Sequence, residues 1–171
     1  MEYFLITQDN RIINYPEPLE ISKSFCNREI SDELGPIQLR IREKDRIEYV
    51  DFIARPVPLV SDELKRLLKQ FEKAAIFTPV VLADLKHGVQ SLYWSLNPPK
   101  LDCLSSHTEF NKNGTVGKIV LNPAPVAGFR MFKIDRVIES FLVINLILVE
   151  SILRRSLTGF RFTRVEVEPE K

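Results

Sequence analysis

Apolar and polar residues alternate with a period of two through the first third of the chain, and the period lengthens after residue 60, so strands are expected first and a helix after them. YFLIT (3–7) and RIINY (11–15) flank Gln8, Asp9 and Asn10, a composition suited to a tight hairpin. Pro16 and Pro18 then end the pairing, because proline donates nothing to a strand ladder. A second hairpin is predicted from IQLRIR (37–42), where Ile37, Leu39 and Ile41 share a face. Glu43 to Asp45 supply its turn and RIEYVDFI (46–53) the return strand.

After Pro56 and Pro58 the spacing of Leu64, Leu67, Leu68 and Phe71 marks one apolar stripe of a helix, with Lys65, Arg66, Lys69 and Gln70 opposite. Ser61 is placed to cap it, and Asp62 and Glu63 suit the positive end of its dipole. IFTPVVL (76–82) reads as a strand whose Pro79 belongs at an edge or a strand end. SLYWSL (91–96) reads as another strand, leaving through Asn97-Pro98-Pro99 into a long loop. TVGKIVL (115–121) and GFRMFKI (128–134) are strands around an NPAP loop. SFLVINLILVESILRRSL follows as a short strand and helix, Gly159 is placed to terminate that helix, and FRFTRVEV (160–167) is the last strand.

The two helical regions echo each other. Leu59-Val60-Ser61 aligns with Val143-Ile144-Asn145, and Phe77-Thr78-Pro79-Val80 with Phe162-Thr163-Arg164-Val165. A duplication would produce this, but so would the shared need of any docked helix for a cap, an apolar face and a return strand, and the packing explanation is preferred. The expected fold class is α+β: antiparallel sheets from hairpins, with two amphipathic helices packed on one side. Residues 1–171 are expected to form a single domain, with a β-rich part over 1–58 and a helix–strand core over 59–171.

The chain is 44% hydrophobic and 27% charged, which suits a packed domain and argues against long disorder. The most apolar stretch, Phe141 to Val149, is too short for a bilayer span of about 20 residues. Glu2 stands where a signal peptide carries Lys or Arg, so a cytoplasmic protein with reduced cysteines is expected. Net charge is +1, with 8 basic and 11 acidic residues over 1–60 and 16 and 12 over 61–171. Arg154, Arg155, Arg161 and Arg164 form the densest basic group, but Glu150, Glu166 and Glu168 interleave with them, unlike the one-sided patch of a nucleic-acid binder.

Chemistry is suggested by one segment. YWSLNPPKLDCLSSHTEF (93–110) holds the only Trp, one of two Cys and one of two His. Cys103 and His107 invite a nucleophile–base reading, and Asp102, Cys103, His107 and Glu109, with His87, a metal reading. A reactive thiol needs a fixed base and a depressed pKa, whereas His107 lies in a polar loop with nothing to orient it, so a satisfied or solvated loop His beside a small buried Cys is expected. Zinc sites draw ligand pairs from two turns, and no C-x-x-C or H-x-x-x-H is present. Phosphate-cradling glycine motifs and the hydrolase elbow are missing as well. Asp62 with Glu63 and Asp32 with Glu33 sit where helix starts and solvated turns favour acids. No catalytic, cofactor or metal residue is therefore expected. Trp94 beside Tyr93 reads first as core, with an interface anchor as the alternative.

YVDFIARPVPLVSDELKRLL, IFTPVVL, YWSLNPPKLDCL and the late GFRF together resemble a large bacterial family of immunity proteins from polymorphic toxin systems, over roughly residues 49–165. The most specific parts are Leu59-Val60-Ser61 with Leu64, the strand at Phe77–Val80, and Asp102-Cys103. Ile144-Asn145 and Ser105-Ser106 depart from that family's pattern. The resemblance implies a non-catalytic cytoplasmic inhibitor that binds one cognate toxin and blocks it, without cofactor, nucleic acid or membrane. Homodimerisation is left open. The residues put forward for partner contact are Trp94, His107 and Glu109, with Glu29, Asp32 and Glu33 from the acidic first third. A small Cys/His enzyme and a nucleic-acid-binding module stand as alternatives.

Overall fold

The computed structural model describes residues 1–19 and 37–169, so Glu29, Asp32 and Glu33 lie outside the described residues. Within the described residues thirteen strands and three helices make a mixed α+β fold, richer in sheet than two helices on one sheet. Six strands form one sheet: β1 (Tyr3–Gln8), β7 (Lys100–Leu101), β10 (Val120–Leu121), β11 (Met131–Ile134), β12 (Leu142–Asn145) and β13 (Phe160–Val167), in the order β10-β13-β1-β12-β11-β7. Five form another: β2 (Ile37–Arg40), β3 (Phe52–Ile53), β4 (Leu59–Val60), β5 (Ile76–Asp84) and β6 (Val89–Asn97), in the order β2-β5-β6-β4-β3. A separate ribbon pairs β8 (Glu109–Phe110) with β9 (Val116–Lys118). The helices are α1 (Asp62–Phe71), α2 (Pro123–Val126) and α3 (Leu146–Leu153).

One core joins the sheets. Phe52, Val60 and Leu96 of the five-stranded sheet and Ile6, Met131 and Ile144 of the six-stranded sheet meet Leu64, Leu67 and Leu68 of α1 and Leu148, Val149 and Ile152 of α3. Each sheet also buries its other face, with Leu39, Ile53, Leu59, Val80 and Tyr93 in one case and Tyr3, Leu121, Phe132, Val143 and Val165 in the other. Two-sided burial explains why β12 is apolar almost throughout where a half-buried strand would alternate. The cap predicted at Ser61 forms, its Oγ accepting from Leu64 N at 3.2 Å, and Asn145, which aligns with Ser61, caps the other helix by accepting from Leu148 N at 3.0 Å through Oδ1. Each cap contributes about 1 kcal/mol. α3 is less amphipathic than expected, since Ile147 and Leu153 are exposed while Leu148, Val149 and Ile152 are buried.

Neither hairpin predicted for the first third forms. β1 is flanked by β12 and β13, both antiparallel, and residues 11–15 leave the sheet. Asp9 turns the chain away: its N–H donates to Gly159 O, and Arg11 holds its carboxylate. β2 runs parallel to β5, and of 46–53 only Phe52–Ile53 joins a ladder, with β4. Period-two alternation specifies which face a strand buries, whereas its partner is chosen by contacts far along the chain. The sheets are consequently mixed, with parallel pairs at β2–β5, β10–β13 and β7–β11.

Smaller corrections have local causes. Pro79 is internal to β5, tolerated because the β2 ladder begins only at Val80. The NPAP segment is a helical turn, capped by Asn122 with Pro123 in its first turn. TVGKIVL is divided between the ribbon and β10. α3 ends at Leu153, six residues before Gly159, whose φ of 99° serves a close approach instead: a Cβ there would meet Phe52 O at 2.5 Å.

The six-stranded sheet is strongly curled. β7 and β10 lie at its opposite edges, yet Leu104, three residues beyond β7, bridges to Leu121 of β10. Three residues reach at most about 11 Å. Six flat strands would hold their edges about 24 Å apart. The edges must therefore bend toward each other, and the connecting segment carries Cys103 into the concave face.

The echo seen in the sequence runs through the whole fold. In the five-stranded sheet β4, α1 and β5 flank β6; in the six-stranded sheet β12, α3 and β13 flank β1. Registers match. Trp94 faces Val60 on one side and Pro79 on the other, while Phe4 faces Ile144 and Arg164, so YWSL (93–96) superposes on YFLI (3–6). The correspondence continues outward: Phe52 opposite Val60 matches Met131 opposite Ile144, and parallel edge strands β2 and β10 match in their pairing to β5 and β13. Shared packing rules require a cap and a return strand but not the same register over six elements, which favours duplication over the preferred explanation. The chain order is permuted, because the counterpart of β6 opens the chain.

Candidate functional site

Curling of the six-stranded sheet decides the state of Cys103. It is 1% exposed, packed with Tyr3, Leu121, Val126 and Phe132. Burial, helped by the negative charge of Asp102, pushes its thiol up to about 11. A nucleophile needs the opposite shift. His107, four residues on, is outside: its side chain is 70% exposed, with Nε2 at 3.9 Å from Glu168 Oε1. The turn between them is held by Ser105, whose hydroxyl donates to Glu168 at 2.8 Å and accepts from His107 N at 3.2 Å. Among the described residues no three His, Cys, Asp or Glu side chains converge as a metal site would require.

The other candidates have structural partners. Asp62 pairs with Arg66 at 2.5 Å in the first turn of α1, beside Glu63. In the arginine group, Arg154 pairs with Glu150 at 3.3 Å and Arg164 with Glu2, while Arg155 donates to Ser151 O. Lys118 and Glu166 pair at 2.9 Å across the same margin. With two of the four arginines neutralised by carboxylates, the group does not make the one-sided stripe of a phosphate binder. A depression beside β1 and β13, lined by Met1, Glu2, Arg164 and Glu166, has the same mixed charge.

Two pairings were not foreseen from the sequence. Asp84 is buried at the end of β5 and takes the His87 ring, with Nδ1 to Oδ2 at 2.6 Å, and the His87 N–H at 3.1 Å. Burial alone would raise the Asp84 carboxyl, but these bonds outweigh it and hold it below its ordinary value. The pair closes the β5–β6 turn, where Gly88 adopts φ 65°. Lys65 of α1 lies over the Trp94 ring, with Nζ 2.9 Å from the centroid, and its loss of hydration lowers its pKa.

The proposed contact residues thus divide. His107 and exposed Glu109 belong to the loop and ribbon next to β10, whereas Trp94 belongs to the five-stranded sheet, half-buried beneath Lys65. The Trp94 indole N–H is buried without an acceptor among the described residues. Packing with Val60 and Leu96 accounts for the core character of Trp94, and its uncovered edge leaves an interface role open to it. Among the described residues no helix is long and apolar enough to cross a membrane. No protein-family model matches this chain, and no curated protein resembles it significantly.

Proposed function

We propose that this chain is an immunity protein: a non-catalytic binder that neutralises a cognate bacterial toxin by occluding it. The observation that carries the proposal is the fate of its one chemically suggestive cluster. Cys103 fills the concave face of a curled sheet with its thiol held protonated, and His107 stands outside on a turn held by Ser105 and Glu168. Side chains with chemical potential are thus committed to packing and turn closure, while the two sheets share a core that makes a rigid platform. Rigid scaffolds suit inhibitors, because little ordering entropy is then lost on binding. The paired arginines weigh against the nucleic-acid alternative, and the protonated thiol against the Cys/His enzyme.

The proposal expects a toxin-delivery protein encoded beside this chain, and the test is co-expression with that protein's C-terminal domain. The expected result is a co-purifying complex in which toxin activity falls linearly to zero at one equivalent. Loss of activity at far less than one equivalent, which requires turnover, would contradict the proposal, as would full toxin activity in the presence of excess folded protein.

A further inference from the structure

The internal repeat supplies a control for the surfaces built from the six matched elements, since each ladder position there has a counterpart in the other half with the same packing problem. On the helix-facing side of the five-stranded sheet, Pro79, Val81, Leu92 and Trp94 lie in two adjacent rows across β5 and β6. Their counterparts on β13 and β1 are Arg164, Glu166, Glu2 and Phe4. There Phe4 packs against the shared core as Trp94 does, while the other three places hold charged side chains, with Glu2 bonded to Arg164 and Glu166 to Lys118. The fold therefore does not require apolar residues at the places of Pro79, Val81 and Leu92. Yet Leu92 is apolar and 50% exposed, with Val81 and Pro79 half-buried beside it.

Cations border the strip. Lys65 covers the Trp94 ring, Lys69 follows one turn along α1, and Arg40 is exposed on β2 beside Ala83, one row beyond Leu92. Asp62, the carboxylate nearest Lys65 along the helix, is engaged by Arg66. An aromatic anchor with an apolar neighbour and a charged rim is the pattern of an interface hot spot.

We infer that this strip is the toxin-docking surface, and that the toxin meets it with an apolar side chain flanked by carboxylates that engage Lys65 and Arg40. The inference rests on the proposed immunity function. It selects Trp94 from the residues put forward by sequence and leaves His107 and Glu109 outside the contact.

The experiment transplants the solvated solution of the other half. Leu92→Glu with Pro79→Arg recreates at these positions the pair that Glu2 and Arg164 make, so the fold should tolerate it. Leu92→Ala is a milder second variant, and Leu153→Lys alters an even more exposed apolar residue elsewhere. Binding to the neighbouring toxin domain is read by titration calorimetry, with melting temperature as the check on folding. The double variant should bind at least about thirtyfold more weakly, and Leu92→Ala about tenfold more weakly, with Leu153→Lys within about threefold of wild type. Wild-type affinity in both strip variants overturns the inference while the immunity function stands. Absence of binding by the wild-type chain overturns both. A wild-type dimer on gel filtration that Leu92→Glu/Pro79→Arg dissociates would assign the strip to a second copy and overturn the toxin assignment.

Discussion

Tyr3 and Tyr93 occupy the same place in the two halves of the molecule. Each is the buried tyrosine at the matching position of its sheet's β1 or β6 strand, facing Val165 in one case and Val80 in the other. Each sends its hydroxyl to a distant backbone carbonyl, Val126 O at 2.9 Å and Val50 O at 2.7 Å. Burial is the chief reason that both phenols are held above their ordinary pKa. Removing the Tyr93 hydroxyl leaves Val50 O without its side-chain donor, whereas Val126 O keeps the Phe129 N–H at 3.1 Å when the Tyr3 hydroxyl is lost. Tyr93→Phe is expected to cost about 1–2 kcal/mol in urea unfolding, and Tyr3→Phe less, about 0.5–1 kcal/mol.

Gly159 and Gly88 both have positive φ but different surroundings. At Gly159 a Cβ would strike Phe52 O at 2.5 Å, where the ends of the two sheets meet, whereas nothing lies within 4 Å at Gly88. Gly159→Ala should therefore cost about 2–4 kcal/mol and Gly88→Ala only about 1 kcal/mol. Equal losses on thermal melting would contradict the close approach.

Asp9 links acid stability to the segment that replaces the first predicted hairpin. Hydrogen bonds from the Arg11 side chain and then its backbone N–H lower the Asp9 carboxyl to about 2. Its value in the unfolded chain is near 3.9, about two units higher. A depressed carboxyl contributes stability that is complete above its unfolded pKa and is lost as pH falls toward the folded value. Wild-type stability should accordingly drop between about pH 4 and pH 2, and Asp9→Asn should flatten that limb, as followed by circular dichroism during acid titration.

Much of this was legible in the sequence, and the division has a physical basis. Ser61, Asn145 and the leucines of α1 act within a few residues, so helix starts and the strands around them are readable locally. The pairing of β1 with residues 143–145 and 160–165 is not, because alternation carries no address for a partner. Cys103 was expected to be buried and His107 to lie in a solvated loop, and both are found so. The strip around Leu92 was missed for a different reason. Its period-two apolar residues look like core, and only the placement of α1 decides which rows are covered. The echo between the halves was the usable signal, had Glu2 and Leu92 been set side by side.

Cys103 offers a check on the inert cluster that needs no toxin. A thiol at about 11 in place of the usual 9 holds a thiolate fraction about a hundredfold lower at neutral pH. Peptide mapping after iodoacetamide treatment should find Cys103 unmodified in the folded protein at pH 7 and alkylated once guanidinium unfolds the chain.

The claim that this protein acts through its surface alone is tested most directly by measuring toxin neutralisation with the Cys103→Ala/His107→Ala variant. Protection equal to wild type at one equivalent is the result expected of a binder. Loss of protection by a variant that keeps the wild-type melting temperature and still forms the complex would mean that these side chains perform chemistry, and would contradict it.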